Sequence, residues 1–75
     1  MKRSGQLKNR ISVLRAEKKW TQQDLADKVG VTRQTIASIE ANRYNPSLIL
    51  AFEIAAAFGK EIQEVFEYQL LEKGE

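Results

Sequence analysis

The sequence contains no cysteine and no histidine. Disulfides, thiolates and imidazoles are therefore excluded, both as covalent staples and as metal ligands. No apolar run approaches the roughly 20 residues that a membrane-spanning helix needs. The basic start, MKRSGQLKNR, lacks the apolar segment of a signal peptide. We therefore expect a cytoplasmic protein with no cofactor, no bound metal and no membrane partner.

Residue types that commonly carry catalysis are also scarce. Without histidine, cysteine or a glycine-rich phosphate loop, carboxylates are the main remaining candidates for acid and base chemistry. The glutamates after residue 50 are spread along polar faces with no converging partner: Glu53, Glu61, Glu64, Glu67, Glu72 and Glu75. We therefore expect no enzymatic activity.

The chain of 75 residues predicts a single domain over 1–75, with a core over about 6–66 and a C-terminal tail over 67–75. A domain this small needs well-packed helices, a partner subunit or both. Its net charge of +2 hides an asymmetry, because the basic residues concentrate in the first 20 positions and the acidic ones after position 46. One end would attract polyanions and the other would repel them.

Apolar periodicity predicts five helices. The first runs from about Gln6 to Lys18, with Leu7, Ile11 and Leu14 on one stripe. The fourth helix, SLILAFEIAAAF, is apolar nearly all round, which predicts that it is the central and most buried helix. Residues 61–72 fit a short helix to about Phe66, followed by a segment that could be helix or strand.

The second and third helices lie in the stretch TQQDLADKVGVTRQTIASIE. Thr21 and Thr32 are suitable N-caps, and Gly30 stands where a helix ends in a left-handed conformation. The few residues between the helices allow only a tight turn, so the two helices must cross steeply. On the apolar sides of the two helices, Ala26 faces inward from the second and Ile36 and Ile39 from the third.

TQQDLA, VGVTRQTIASIE and NPSL together resemble the Cro/C1-type helix-turn-helix, the XRE family of transcriptional regulators, over about residues 7–66. The resemblance implies an all-α, compact five-helix lambda-repressor-like domain whose helices 2 and 3 form the motif. It also implies sequence-specific binding of double-stranded DNA by a small stand-alone regulator, expected to be a repressor. Lys19 stands where the family often has a glycine, and Glu61 where it often has a capping serine or threonine.

The resemblance also implies roles for individual residues. Helix 3 would enter the major groove and read bases through Arg33, Gln34, Thr35 and Ser38. Phosphate contacts would come from Gln22, Thr32, Asn42, Arg43 and Tyr44. Arg15 and Glu40 would form a partly buried structural ion pair.

A single such module reads few base pairs, so the resemblance also implies a homodimer on a palindromic operator. The apolar residues of the tail suit a dimer contact, although they could instead only cover the fourth helix: Phe66, Tyr68, Leu70 and Leu71. The alternative function is a protein-interaction module, such as an antitoxin or adaptor, that keeps the fold and binds a protein partner.

Overall fold

The computed structural model describes residues 5–70. Within that range two short strands bracket five helices, in the order β1 (Gly5–Asn9), α1 (Ile11–Lys18), α2 (Gln22–Val29), α3 (Arg33–Glu40), α4 (Leu48–Phe58), α5 (Ile62–Val65) and β2 (Phe66–Leu70). The five predicted helices are present, but the all-α description is only approximate because β1 and β2 form a two-stranded sheet.

The helix-turn-helix begins and ends where local rules predict. The Thr21 hydroxyl accepts from the backbone N–H of Asp24, whose carboxylate accepts from the N–H of Thr21, and this completes a capping box. Gly30 ends α2 with φ of 76°, a left-handed conformation that glycine adopts at little cost. The Thr32 hydroxyl then caps α3 through the N–H of Thr35.

The predicted start of the first helix is wrong. Residues 6–9 lie in β1, and the helix begins at Ile11. β1 pairs antiparallel with β2, so that Leu7 lies opposite Tyr68. Leu7 therefore reaches the core from a strand, whereas Ile11 and Leu14 reach it from α1 as expected.

The sequence left open whether the segment after Phe66 is helix or strand. In the described residues it is a strand. β2 begins directly after α5, at Phe66, and its register places Lys8 opposite Glu67. The Tyr68 ring covers Gly5, where a side chain would overlap the phenol group. Glycine is therefore needed at position 5 so that the Tyr68 ring can lie across the two-stranded sheet.

The core lies between the helices, and α4 contributes more buried residues to it than any other helix: Ala51, Ile54, Ala55 and Phe58. Trp20 stacks on Phe58, with ring centroids 5.3 Å apart. The burial of these α4 residues confirms the prediction that α4 is the most buried helix, although one side of it remains exposed, with Leu48, Ile49 and Phe52 in solvent. Neighbouring helices pack on only one side of it, so an apolar composition all round does not give burial all round.

Candidate nucleic-acid interface

The turn between α2 and α3 fixes how α3 is presented. The N–H groups of Gly30 and Val31 both donate to the carbonyl of Ala26, at 2.8 and 3.0 Å. Ala26 is fully buried, and so is Ile36 on α3. One side of α3 is thus held against α2, and the opposite side faces solvent.

The outward side of α3 carries the residues predicted to read bases. Arg33 and Gln34 are exposed in the first turn, and Thr35 and Ser38 are half-buried. The first turn holds no acidic residue, so its unpaired N–H groups and the positive end of the helix dipole meet no internal carboxylate. An exposed guanidinium and carboxamide can each make two hydrogen bonds to a base edge.

Thr32 and Thr35 have a local role in addition to the one predicted for them. The Thr32 side chain accepts from the N–H of Thr35 at 3.2 Å, and the two hydroxyl oxygens are 3.0 Å apart. These contacts stabilise the first turn of α3. Each hydroxyl keeps a lone pair or proton with which to meet a phosphate or base.

A polar network joins the two helices of the motif. Arg33 Nη1 donates to Gln22 Oε1 at 3.2 Å, and Gln22 Nε2 donates to Glu40 Oε1 at 3.1 Å. A carboxylate only accepts, so Glu40 requires the NH₂ end of the Gln22 carboxamide. The carboxamide oxygen is then left facing Arg33.

Arg15 and Glu40, for which the resemblance implied an ion pair, lie in contact. Arg15 Nε donates to Glu40 Oε2 at 2.7 Å, and Arg15 Nη2 donates to Glu40 Oε1 at 3.2 Å. Arg15 Nη1 also donates to the carbonyl of Trp20 at 2.9 Å. The two side chains are 18% and 11% exposed, so the pair is largely removed from water. It connects α1 to the end of α3.

The segment after α3 presents the remaining predicted phosphate contacts. Asn42, Arg43 and Tyr44 are all exposed. Asn42 has φ of 61°, a left-handed conformation that asparagine tolerates better than most residues. The N–H of Arg43 donates to the carbonyl of Ser38 at 2.9 Å, which keeps the segment close to the helix.

Asn9 positions this segment, and the sequence reasoning missed it. Its Nδ2 donates to the carbonyl of Ile39 at 2.9 Å and to Oδ1 of Asn42 at 3.1 Å, while its Oδ1 accepts from the N–H of Ile11. Assigning residue 9 to the interior of the first helix concealed this role. An asparagine two residues before a buried Ile11 is a signal for a turn that precedes a helix.

The predicted dimer residues are not equivalent in the structure. Phe66 is buried in the core, whereas Tyr68 and Leu70 are exposed on β2. Leu71 lies outside the described residues. None of the helices in residues 5–70 is long and apolar enough to cross a membrane.

Two short helices that cross at a glycine turn, with an exposed polar first turn on the second, define a helix-turn-helix DNA-binding domain. The sequence matches the family model described as helix-turn-helix over residues 11–65. The chain belongs to this family, in its XRE type, and is a DNA-binding transcriptional regulator rather than an enzyme.

Three similar proteins illustrate the relationship. An uncharacterized HTH-type transcriptional regulator of Methanocaldococcus jannaschii is 51% identical over 63 residues, covering 84% of this chain and 96% of the relative. The immunity repressor protein of Bacillus phage phi105 is 39% identical over 66 residues, covering 88% of this chain and 46% of the relative. The restriction-modification controller protein C.AhdI of Aeromonas hydrophila has a crystal structure that superposes with a TM-score of 0.68 at 30% identity, covering 72% of this chain and 78% of that one.

Proposed function

We propose that the protein is a repressor that binds a palindromic DNA operator as a homodimer, with α3 in the major groove. The observation that carries this proposal is the two-sided character of α3. Ile36 and Ile39 hold it on the core, while Arg33 and Gln34 extend from its first turn into solvent. In a helix-turn-helix, the N-terminal residues of the second helix contact base edges.

Base reading would rest on the first two turns of α3. Arg33 can donate two hydrogen bonds to O6 and N7 of guanine, and Gln34 can pair with N6 and N7 of adenine. Thr35 can contact a thymine methyl group or a phosphate. Ser38, one turn further along the outward face, can reach a neighbouring base.

Phosphate contacts would flank the reading helix at both ends. Gln22 lies at the start of α2, where the helix N-terminus favours an anion. The Thr32 hydroxyl can accompany it, and Asn42, Arg43 and Tyr44 can contact the backbone beyond the end of α3. Such contacts fix the orientation of the protein on the duplex without reading its sequence.

The proposal also includes dimerisation and repression. One module of this kind reads few base pairs, and a two-fold dimer reads two half-sites about one helical turn apart. The similarity to a phage immunity repressor supports repression as the regulatory outcome.

Selection from a random duplex DNA library at near-physiological salt tests this proposal. We expect enrichment of a palindrome whose half-sites are about 10 base pairs apart, centre to centre. Recovery of only weak, strongly salt-dependent binding would indicate non-specific electrostatics and would contradict the proposal. A protein-interaction module, such as an antitoxin or adaptor, would then become the leading explanation.

Paired substitutions identify the reading residues. Replacing both Arg33 and Gln34 with alanine should weaken operator binding about 5- to 150-fold for each side chain that makes a good hydrogen-bonded pair with a base, since each such pair contributes about 1–3 kcal/mol. The matched control replaces Lys60 and Gln63, which are exposed near α5, and should change affinity little. Equal reductions in affinity from the two double variants would refute the assignment of α3 as the reading helix.

A further inference from the structure

The largest group of exposed apolar side chains in the described residues lies on α4. Leu48, Ile49 and Phe52 are 70%, 72% and 53% exposed. We call these three residues the α4 patch. At 3.6 residues per turn they fall on one side of the helix, and the exposed Ala56 continues that side one turn further.

The size of the α4 patch is that of a functional surface. Three large side chains exposed to this degree amount to roughly 400 Å² of apolar surface, within the range of the largest patch on a typical monomer, and such patches are often functional. A stable interface needs about 800 Å² from each partner. The α4 patch would supply the apolar centre of such an interface, and polar neighbours would supply its rim.

We propose that the α4 patch is the surface on which a second copy of this chain docks, through an antiparallel, two-fold contact between the two α4 helices. The proposal deepens the proposed function, since it names the surface that forms the dimer. It replaces the tail as the principal contact.

The patch is self-complementary in a way that a two-fold contact requires. Ile49 precedes Phe52 by three positions, and Ala56 follows it by four. In an antiparallel pair of helices centred near Phe52, each Ile49 therefore meets Ala56 of the second copy. A large side chain then faces a small one at both ends of the contact, as isologous packing demands.

Charge does not oppose this contact. The only ionisable side chain within α4 is Glu53. It lines a shallow groove toward α2 with Lys28, Val29, Ala56 and Ala57, so it borders the patch on the side where a basic residue is close. It would lie in the rim, where solvent screens a like-charge pair.

The position of the patch also suits the reading helix. Seven residues separate α3 from α4, and the exposed Asn42, Arg43 and Tyr44 lie within them. The patch begins immediately after this segment. A two-fold axis through it would place the two copies of α3 on either side of one interface, as reading of two half-sites requires.

The two-stranded sheet of β1 and β2 is a weaker candidate for the dimer contact. Tyr68 and Leu70 are 62% and 45% exposed, but they alternate with Glu67 and Gln69 along β2. The Tyr68 ring already covers Gly5 of its own chain. The two-stranded sheet therefore offers less exposed apolar surface to a second copy than the α4 patch does.

Analytical ultracentrifugation of the full chain at micromolar concentrations compares the two surfaces directly. Ile49→Lys should raise the dimer dissociation constant at least about 100-fold, because it removes a central apolar side chain and adds two like charges to the interface. Tyr68→Ser is the matched control, and it should raise the constant only a few-fold. Because Ile49 is exposed in the single chain, the lysine variant should keep its helical circular dichroism at dilution.

The absence of native cysteine allows a second, independent measurement. Phe52→Cys should form a disulfide-linked dimer under mild oxidation, because two residues near a two-fold axis can bring their Cα atoms within the ~7 Å that a disulfide needs. Tyr68→Cys should not. Cross-linking of Tyr68→Cys alone would overturn the proposal, and so would a wild-type chain that stays monomeric both free and on DNA.

These outcomes are separable from those of the proposed function. A monomer that still selects a half-site through Arg33 and Gln34 would refute the α4 dimer and leave base reading intact. A dimer that depends on Ile49 but selects no DNA sequence would support the α4 contact and refute the proposed operator binding.

Discussion

Replacing Arg15 with alanine tests the largely buried ion pair that connects α1 to the end of α3. The guanidinium makes two hydrogen bonds to Glu40, at 2.7 and 3.2 Å, and one to the carbonyl of Trp20 at 2.9 Å. Its removal leaves the Glu40 carboxylate, 11% exposed, with the Gln22 amide as its remaining partner. The change therefore leaves a largely buried charge without its counter-charge.

The expected loss of stability follows from that burial. Breaking a fully buried pair by removing one partner costs about 3–5 kcal/mol. Because both side chains keep some contact with water, we expect about 2–3 kcal/mol for Arg15→Ala. At about 4–8 °C per kcal/mol for a domain of this size, the melting temperature should fall by about 8–24 °C.

Thermal and urea unfolding, followed by circular dichroism, measure this effect. Wild type and variant must be compared at one protein concentration, because dimerisation would raise the apparent stability of both. Arg10→Ala is the matched control, since Arg10 is an exposed arginine at the start of the same helix. The double variant Arg15→Met, Glu40→Leu should recover most of the stability, because an apolar pair leaves no unpaired charge. A melting temperature within about 2 °C of wild type for Arg15→Ala would refute this reasoning.

Two further substitutions test the helix ends. Lys19 ends α1 with φ of 61°, so Lys19→Gly should relieve left-handed strain and raise the free energy of unfolding by about 1 kcal/mol, as measured by urea titration; a decrease would show that Lys19 carries no net strain. Thr21→Ala should lower it by about 1 kcal/mol, because the capping box with Asp24 is removed; Thr21→Ser keeps the hydroxyl and should cost much less, and equal destabilisation by the two variants would argue against the cap.

The parts of the fold that the sequence predicted correctly depend on neighbours along the chain. Thr21, Gly30 and Thr32 determine where α2 and α3 begin or end through caps and turns that span three or four residues. The outward position of Gln34 follows from the inward position of Ile36, because residues two positions apart on a helix are about 200° apart and so lie on opposite sides. Local rules therefore sufficed for the motif itself.

The start of the first helix could not be predicted in the same way. Leu7 fits the apolar stripe of a helix as well as it fits one face of a strand. Leu7 lies in a strand because it pairs with Tyr68, which is near the other end of the chain. The role of Asn9 could not be predicted for the same reason, because its amide contacts Ile39 and Asn42. Contacts between residues so far apart in sequence leave no periodic signal.

The fourth helix shows a second limit of prediction from sequence, which concerns burial. An apolar surface all round predicts burial, but composition does not say which molecule provides the cover. The single chain covers the side that carries Ile54 and Phe58 and leaves Ile49 and Phe52 in solvent. The composition of α4 agrees with the structure if a second copy covers the remaining side.

The Arg15 variant has a further consequence that connects stability to DNA reading. Glu40 holds the NH₂ end of the Gln22 carboxamide, and this leaves the Gln22 oxygen facing Arg33. With Arg15 gone, only Gln22 still contacts the Glu40 carboxylate, so Glu40 is held less firmly and orients the Gln22 carboxamide less well. Operator affinity should then fall for the fraction of Arg15→Ala that remains folded, measured well below its melting temperature. An affinity equal to that of wild type would show that the ion pair supports the fold alone and that Arg33 orients independently of it.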